Sequence, residues 1–193
     1  MEITTESIKQ LRELTGVSVM QCKKALEEAG GDLDKAAVIL KKHSAALAEK
    51  KADRSLAAGA IGSYVHDGVI GAMVLLSCET DFVARNPEFE ALARSLAMHV
   101  AAIDPKYTTS DEIPEDARNA AVAVFEKEVA DKPKEMQQKI LDGKLASYFR
   151  DQVLLDQPFI KDETKTVQSL LNEATQKFGE RIEVGRFVRI ATH

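Results

Sequence analysis

The stretch that decides the fold is SCETDFVARNPEF, residues 77–89. An apolar run, VIGAMVLL (69–76), enters it, and a helical pattern, EALARSLAMHVAAI (90–103), leaves it. The first reads as a strand, because eight consecutive apolar residues, most of them small or branched, suit a covered sheet position. The second reads as a helix. Asn86 serves as its cap, Pro87 takes the first helical position, and Glu88 sits in the first turn. Phe89, Leu92, Leu96, Val100 and Ile103 form its buried stripe. Between strand and helix stands Phe82, with Asp81 before it and Arg85 after it. A large ring in a short connection has two readings. It folds back into its own core, or it projects as an anchor for another molecule, where burying it is worth about 1.5–3 kcal/mol.

Working outward, AIGSYVH (60–66) precedes the apolar run and is separated from it by Asp67-Gly68. Two strands joined by Asp-Gly read as a β-hairpin, and the nearly all-apolar second strand predicts cover on both of its faces. The first 44 residues read as three short helices. In TTESIKQLRELTG, Ile8, Leu11 and Leu14/Thr15 recur at helical spacing and Gly16 ends the run. Ser18 caps SVMQCKKALEEAGG, with Val19, Cys22, Leu26 and Ala29 on one face. Asp32 caps DLDKAAVILKKHS, with Leu33, Ala36/Ala37 and Leu40 inward. Helices this short are unstable alone, so they must pack as one bundle. Residues 45–58 read as a helical linker, and 59–193 as a second domain.

Within that domain, 114–152 reads as a helical hairpin turned through Asp131-Lys132-Pro133. Val122, Phe125 and Val129 face Met136, Ile140 and Leu141. VLLDQPFIKD reads as a loop over the core. TKTVQSLLNEATQKFGE reads as a helix ending at Gly179, and RIEVGRFVRIA as a closing strand carrying Val184 and Phe187. The order of elements implies an α+β class: a three-helix bundle, then a small, mostly antiparallel sheet packed with helices and a protruding helical hairpin.

Composition limits the function. The chain has 193 residues and a net charge of −5, which is unfavourable for nucleic acid as main partner. KKH (41–43) and EKKADR (49–54) are its basic clusters, read as solvated helix faces. No apolar run approaches the roughly 20 residues of a membrane span. MEITTESIKQ lacks the pattern of a signal peptide. Cys22 and Cys78 fit no metal or redox spacing and read as reduced thiols, so a cytoplasmic protein is expected. There is no phosphate-binding G-x-x-x-x-G-K-[ST]. Gly59, Gly62 and Gly71 read as packing or turn glycines. His43, His66, His99 and His193 show no ligand spacing, and His99 reads as a tucked structural histidine. Nothing assembles a nucleophile, a base and an oxyanion site. The expectation is a binding protein without enzymatic activity, cofactor or metal.

The residues TDFVARN, 80–86, resemble a signature of the bacterial translation elongation factor Ts family. LRELTGVSVMQCKKALEEAGGDLDKA, 11–36, resembles that family's other signature, a three-helix domain like ubiquitin-associated domains. HVAAIDPKY, KPKEM, KILDGKL, QPFIKD and GRFVRIA resemble family stretches in order. The resemblance implies a guanine nucleotide exchange factor for the GTPase elongation factor Tu. It implies that Phe82 wedges between partner side chains near the Mg²⁺ and phosphate site, with Asp81 beside it and Thr80, Val83, Ala84, Arg85 and Asn86 shaping the turn. Leu11, Thr15, Gly16, Val17, Met20 and Cys22 belong to the N-terminal signature and are divided between core and partner. The single strand–motif–helix unit resembles the family's short form, in which two chains pair. With Val188 and no cysteine in the last strand, the expectation is a non-covalent homodimer that binds no nucleotide, nucleic acid or membrane itself. The alternative is an RNA- or ribosome-associated adaptor acting through the bundle and the basic linker.

Overall fold

The computed structural model describes residues 3–131 and 133–192. Lys132 in the expected hairpin turn and His193 lie outside the described residues. The fold is α+β, with eight helices and five strands among the described residues.

Three helices open the chain: α1 (Thr5–Thr15), α2 (Val19–Glu28) and α3 (Leu33–Lys50). Each has a polar cap. Thr4 and Ser7 exchange side chain-to-backbone hydrogen bonds at the start of α1. Ser18 accepts from the Gln21 N–H at 3.4 Å. Asp32 accepts from the Lys35 N–H at 3.0 Å, and that bond leads the causes holding its carboxyl below the ordinary range. Gly16, Gly30 and Gly31 all have positive φ, which lets the chain turn sharply out of α1 and α2. The core consists of Leu11, Val17, Cys22, Ala25, Leu26, Ala36 and Leu40. Two expectations change. Leu14 is exposed, because Leu11 already fills the inward turn of α1. Val19, the first residue of its helix, is left uncovered while Cys22, Ala25 and Leu26 form the stripe of α2. Helix α3 also runs through residue 44 to Lys50 before turning.

Strands β1 (Ala58–His66), β2 (Ile70–Cys78) and β5 (Glu183–Ala191) form a sheet in the order β1-β2-β5. The hairpin turn is the expected one. Asp67 and Gly68 have φ of 49° and 71°, and the Val69 N–H donates to the His66 carbonyl at 3.0 Å. Left-handed backbone at both central residues matches the twist of paired strands. The expectation that β2 is covered on both faces does not hold. Ala72, Val74, Leu76 and Cys78 are buried, while Met73 and Leu75 between them are exposed. Side chains alternate along a strand, and in a single chain one face of β2 remains open.

A four-residue helix, α4 (Asp81–Ala84), separates β2 from α5 (Pro87–Ile103). Phe89, Ala93, Leu96, Ala97 and Val100 are buried along α5, whereas Ile103, its last residue, is exposed. Helices α6 (Glu115–Val129) and α7 (Lys134–Arg150) make the helical hairpin. Arg118 lies over the Phe149 ring at 5.9 Å, the Phe125 and Tyr148 rings are 5.6 Å apart, and Lys144 pairs with Glu128 at 2.7 Å. Rising numbers on α6 meet falling numbers on α7, so the two helices are antiparallel. Met136, expected in the apolar stripe, is exposed. The expected loop at 153–162 contains a strand pair instead: β3 (Pro158–Phe159) runs antiparallel to β4 (Asp162–Thr166). A two-residue strand facing the polar DETKT leaves no apolar alternation to read. Helix α8 (Val167–Phe178) follows and ends at Gly179, φ 73°.

The chain gathers into two compact units. The first takes in the bundle as far as Ile61, Leu75–Ala91 and Gln168–Gly185; the second takes in Gly62–Val74, Leu92–Val167 and the segment from Arg186 on. In the second, His99 is fully buried. Its Nε2 lies 2.8 Å from Gln157 Oε1, and its Nδ1 is 3.3 Å from the Ile160 N–H. Burial pushes its pKa down, against the opposing Gln157 bond. The expected structural role fits this doubly bonded, neutral ring.

Gly62 allows the closest backbone approach in that unit. A Cβ at this position would stand 2.1 Å from the Ala93 carbonyl carbon, so β1 and α5 would have to separate. Gly62→Ala is expected to cost about 2 kcal/mol or more, which lowers Tm by about 4–8 °C in a chain of this size. Gly143→Ala, where nothing lies within 4 Å of the added carbon, should leave Tm unchanged or raise it. Differential scanning calorimetry of the two variants checks the contrast.

Candidate partner-binding site

The connection from β2 to α5 begins at Thr80, in extended backbone, which caps α4. Its Oγ1 accepts from the Val83 N–H at 3.4 Å. One turn of helix then points its residues two ways. Val83 and Ala84 are buried, and Phe82 is 82% exposed. Asp81 and Arg85, also exposed, pair across the turn at 3.4 Å. Asn86 Oδ1 accepts from the Glu88 N–H at 2.9 Å, which starts α5. Of the two sequence readings of Phe82, the core one is excluded: the ring stands in solvent. A free four-residue helix would unravel, and the buried Val83 and Ala84 are what tether this one.

A second tether comes from residues about a hundred positions away. The N–H groups of Glu79 and Thr80 both donate to Glu180 Oε2 at 3.0 Å. The Thr80 hydroxyl donates to Glu180 Oε1 at 2.6 Å. In return, the Arg181 N–H donates to Glu79 Oε1 at 2.6 Å. Arg54 Nη1 donates to Glu79 Oε2 at 3.0 Å, and Lys51 Nζ lies 4.0 Å from Oε1 while donating to the Gly179 carbonyl at 2.6 Å. Burial works against the charge on Glu79, yet the Arg181 N–H and the Arg54 guanidinium outweigh it and hold its carboxyl below the ordinary range. Sequence reasoning missed Glu79, Glu180, Arg181, Lys51 and Arg54, since no local pattern links them. It read Lys51 and Arg54 as a solvated basic cluster. Lys51 is in fact buried, and both cations face a carboxylate.

The N-terminal signature divides cleanly. Leu11, Val17 and Cys22 are core. The Thr15 hydroxyl donates to the Leu11 carbonyl at 2.7 Å and Gly16 is the left-handed cap, so both shape the α1–α2 turn. Met20 alone of the six is an exposed large apolar side chain, at 67%. Leu14 and Val19, which the sequence reading had turned inward, are exposed beside it in sequence. This region and Phe82 belong to the same compact unit. Both thiols are buried, and burial is the leading cause raising their pKa values.

Comparison with known proteins bears on this arrangement. A family model described as elongation factor TS matches residues 40–192. The chain is 46% identical to elongation factor Ts of Thermodesulfovibrio yellowstonii over 190 residues, covering 98% of this chain and 96% of that one. It is 47% identical to elongation factor Ts of Thermotoga petrophila over 190 residues, with the same coverage.

The chain belongs to the elongation factor Ts family.

Elongation factor Ts of Fervidobacterium nodosum is 44% identical over 193 residues and 98% of each chain. These alignments extend the likeness through the N-terminal bundle, of which the family model covers only the later part of α3. Membership places the chain among translation elongation factors. Among the described residues no helix is long and apolar enough to cross a membrane, and no cluster of His, Cys, Asp or Glu is gathered to hold a metal ion.

Glu79 makes the site sensitive to acid. Its folded-state pKa lies below the ordinary carboxylate value of about 4.3. The stability it contributes is therefore complete above that value and lost as pH falls through the folded pKa. Glu79→Gln should be less stable than the parent chain at pH 7, and the gap should narrow as pH falls below about 4.3. Urea unfolding from pH 7 to pH 3 measures this, and a gap independent of pH would contradict it.

Proposed function

We propose that this chain is the guanine nucleotide exchange factor for elongation factor Tu. It binds the GDP-bound GTPase, drives Phe82 toward the Mg²⁺ and phosphate site, dislodges the metal and promotes release of GDP, so that GTP rebinds during elongation. The observation that carries this reading is Phe82, an apolar ring held in solvent on a short, doubly tethered helix. Leaving such a ring exposed is unfavourable for the free chain, and burial in a partner recovers that free energy. Asp81 and Arg85 flank it as polar contacts, with Thr80, Val83, Ala84 and Asn86 building the turn. Leu14, Val19 and Met20 offer docking area on the bundle.

The physics of exchange requires no bond chemistry from the factor, and we assign it no enzymatic activity, cofactor, nucleotide or nucleic-acid site of its own. A GTPase that holds GDP at nanomolar affinity stores about 12 kcal/mol in that contact. The factor must bind the nucleotide-free state better than the GDP state, and by linkage GDP then weakens the factor by the same ratio. A wedge incompatible with bound Mg²⁺ supplies that difference.

We further propose a cytoplasmic, non-covalent homodimer. In the second unit Val65, Met73, Val188 and Ile190 are exposed on strands β1, β2 and β5, an apolar content suited to a second copy. Both cysteines are buried, which disfavours a cross-link.

Stopped-flow release of labelled GDP from elongation factor Tu tests the exchange reading. Phe82→Ala should slow catalysed release several-fold or more, with circular dichroism and Tm unchanged, because a ring in solvent adds little to the fold. Unchanged release would overturn it. For the dimer, sedimentation should show a two-chain species at micromolar concentration, and Val188→Asp should convert it to monomer. A parent chain that sediments as monomer overturns that part.

A further inference from the structure

We propose that Glu180 is the positioning residue of the Phe82 turn: its carboxylate locks the cap of α4 so that the ring is presented in one direction. The inference rests on the exchange reading above and deepens it.

The geometry carries it. One carboxylate takes three hydrogen bonds from two consecutive residues, the N–H groups of Glu79 and Thr80 and the Thr80 hydroxyl. The third bond matters most. A threonine hydroxyl can turn its proton in several directions. Donating to Glu180 at 2.6 Å sends the proton away from the helix and leaves a lone pair for the Val83 N–H at 3.4 Å. That capping bond is long, so Thr80 by itself holds α4 weakly. Its partner's charge strengthens the donor side and stops the cap from rotating. The Thr80 carbonyl is also engaged, accepting from Cys78 Sγ at 3.2 Å and from the Ala84 N–H at 3.2 Å. Phe82 lies two residues from this cap, inside the turn that it starts.

Glu180 is itself placed. It follows Gly179, whose left-handed backbone ends α8, and precedes Arg181, whose N–H is held by Glu79 and whose Nη1 donates to the Arg54 carbonyl at 2.6 Å. The two strand-end residues and the two turn residues thus clasp each other reciprocally, and neither segment is free to slide without breaking charge-assisted bonds.

The consequence is kinetic. Docking through the bundle does not depend on how stiffly α4 is held, whereas insertion of the wedge does. Loss of an interaction needed only at the insertion step lowers the maximal rate and spares the concentration dependence.

The experiment measures GDP release from elongation factor Tu against factor concentration for Glu180→Ala, Glu180→Gln and Phe82→Ala. A second readout is the ¹⁹F spectrum of the chain labelled with fluorophenylalanine, with the Phe82 signal assigned by its loss in Phe82→Ala. Glu180→Ala should lower the maximal rate about tenfold, keep the half-saturating concentration within about twofold, and move the Phe82 resonance toward its unfolded position. Glu180→Gln keeps an acceptor oxygen for the two N–H groups but sets an NH2 against the Thr80 hydroxyl in place of Oε1, so it should recover only part of the rate. A folded Glu180→Ala chain with parental kinetics and an unmoved Phe82 signal overturns the proposal. If Glu180→Ala does not fold, Glu180→Asp, whose shorter arm cannot span all three donors, replaces it under the same criteria. A moved Phe82 signal with unaffected exchange in Phe82→Ala would uphold the positioning role and refute the exchange reading instead.

Discussion

The structure depends on a clasp between two segments that lie a hundred residues apart. Glu79 and Thr80 at the end of β2 give their N–H groups to Glu180, and Arg181 returns its own to Glu79. Strand β2 would otherwise end in open backbone, and a four-residue helix has too few internal bonds to persist by itself. The clasp satisfies the exposed donors and fixes the direction in which the chain leaves the sheet. Everything distinctive about the candidate site follows. Val83 and Ala84 are turned inward, so Phe82 is turned outward.

The same clasp explains the distribution of charge. EKKADR, in sequence, is a basic run of the kind that suits nucleic acid. In the fold, Lys51 closes on the Gly179 carbonyl and Glu79, and Arg54 on Glu79. Cations engaged in this way are poorly placed to neutralise phosphates, which weighs against the adaptor alternative and toward a protein partner. The exposed apolar side chains favour the same direction. Phe82, Met20, Leu14 and Val19 in one unit, and Val65, Met73, Val188 and Ile190 in the other, are surfaces of the kind that other proteins cover.

Much of the architecture was legible. Caps at Ser18 and Asp32, glycine stops at Gly16 and Gly179, and the Asp67-Gly68 turn are local signals, each decided within four or five residues. The α+β class followed from their order. The family was legible as well, because TDFVARN is a contiguous motif. Errors arose where a pattern needed a neighbour to interpret it. An all-apolar β2 suggested cover on both faces, yet Met73 and Leu75 are open in one chain. Val19 sat on the right stripe but at an uncovered helix end. Pro158–Phe159 and DETKT formed a strand pair that no alternation announced.

By itself, then, the amino-acid order determined most of the elements, though not the β3–β4 pair or the short helix α4, and a phenylalanine placed between strand and helix. Its orientation belonged to the tertiary structure. Whether a ring in a short turn is sealed or presented depends on which of its neighbours is buried and on what grips the turn from outside. Here Val83 and Ala84 take the inward places, and the grip comes from Glu180. A carboxylate a hundred residues downstream leaves no trace in local periodicity, since hydrogen bonds between distant segments are set by the fold that brings them within 3 Å.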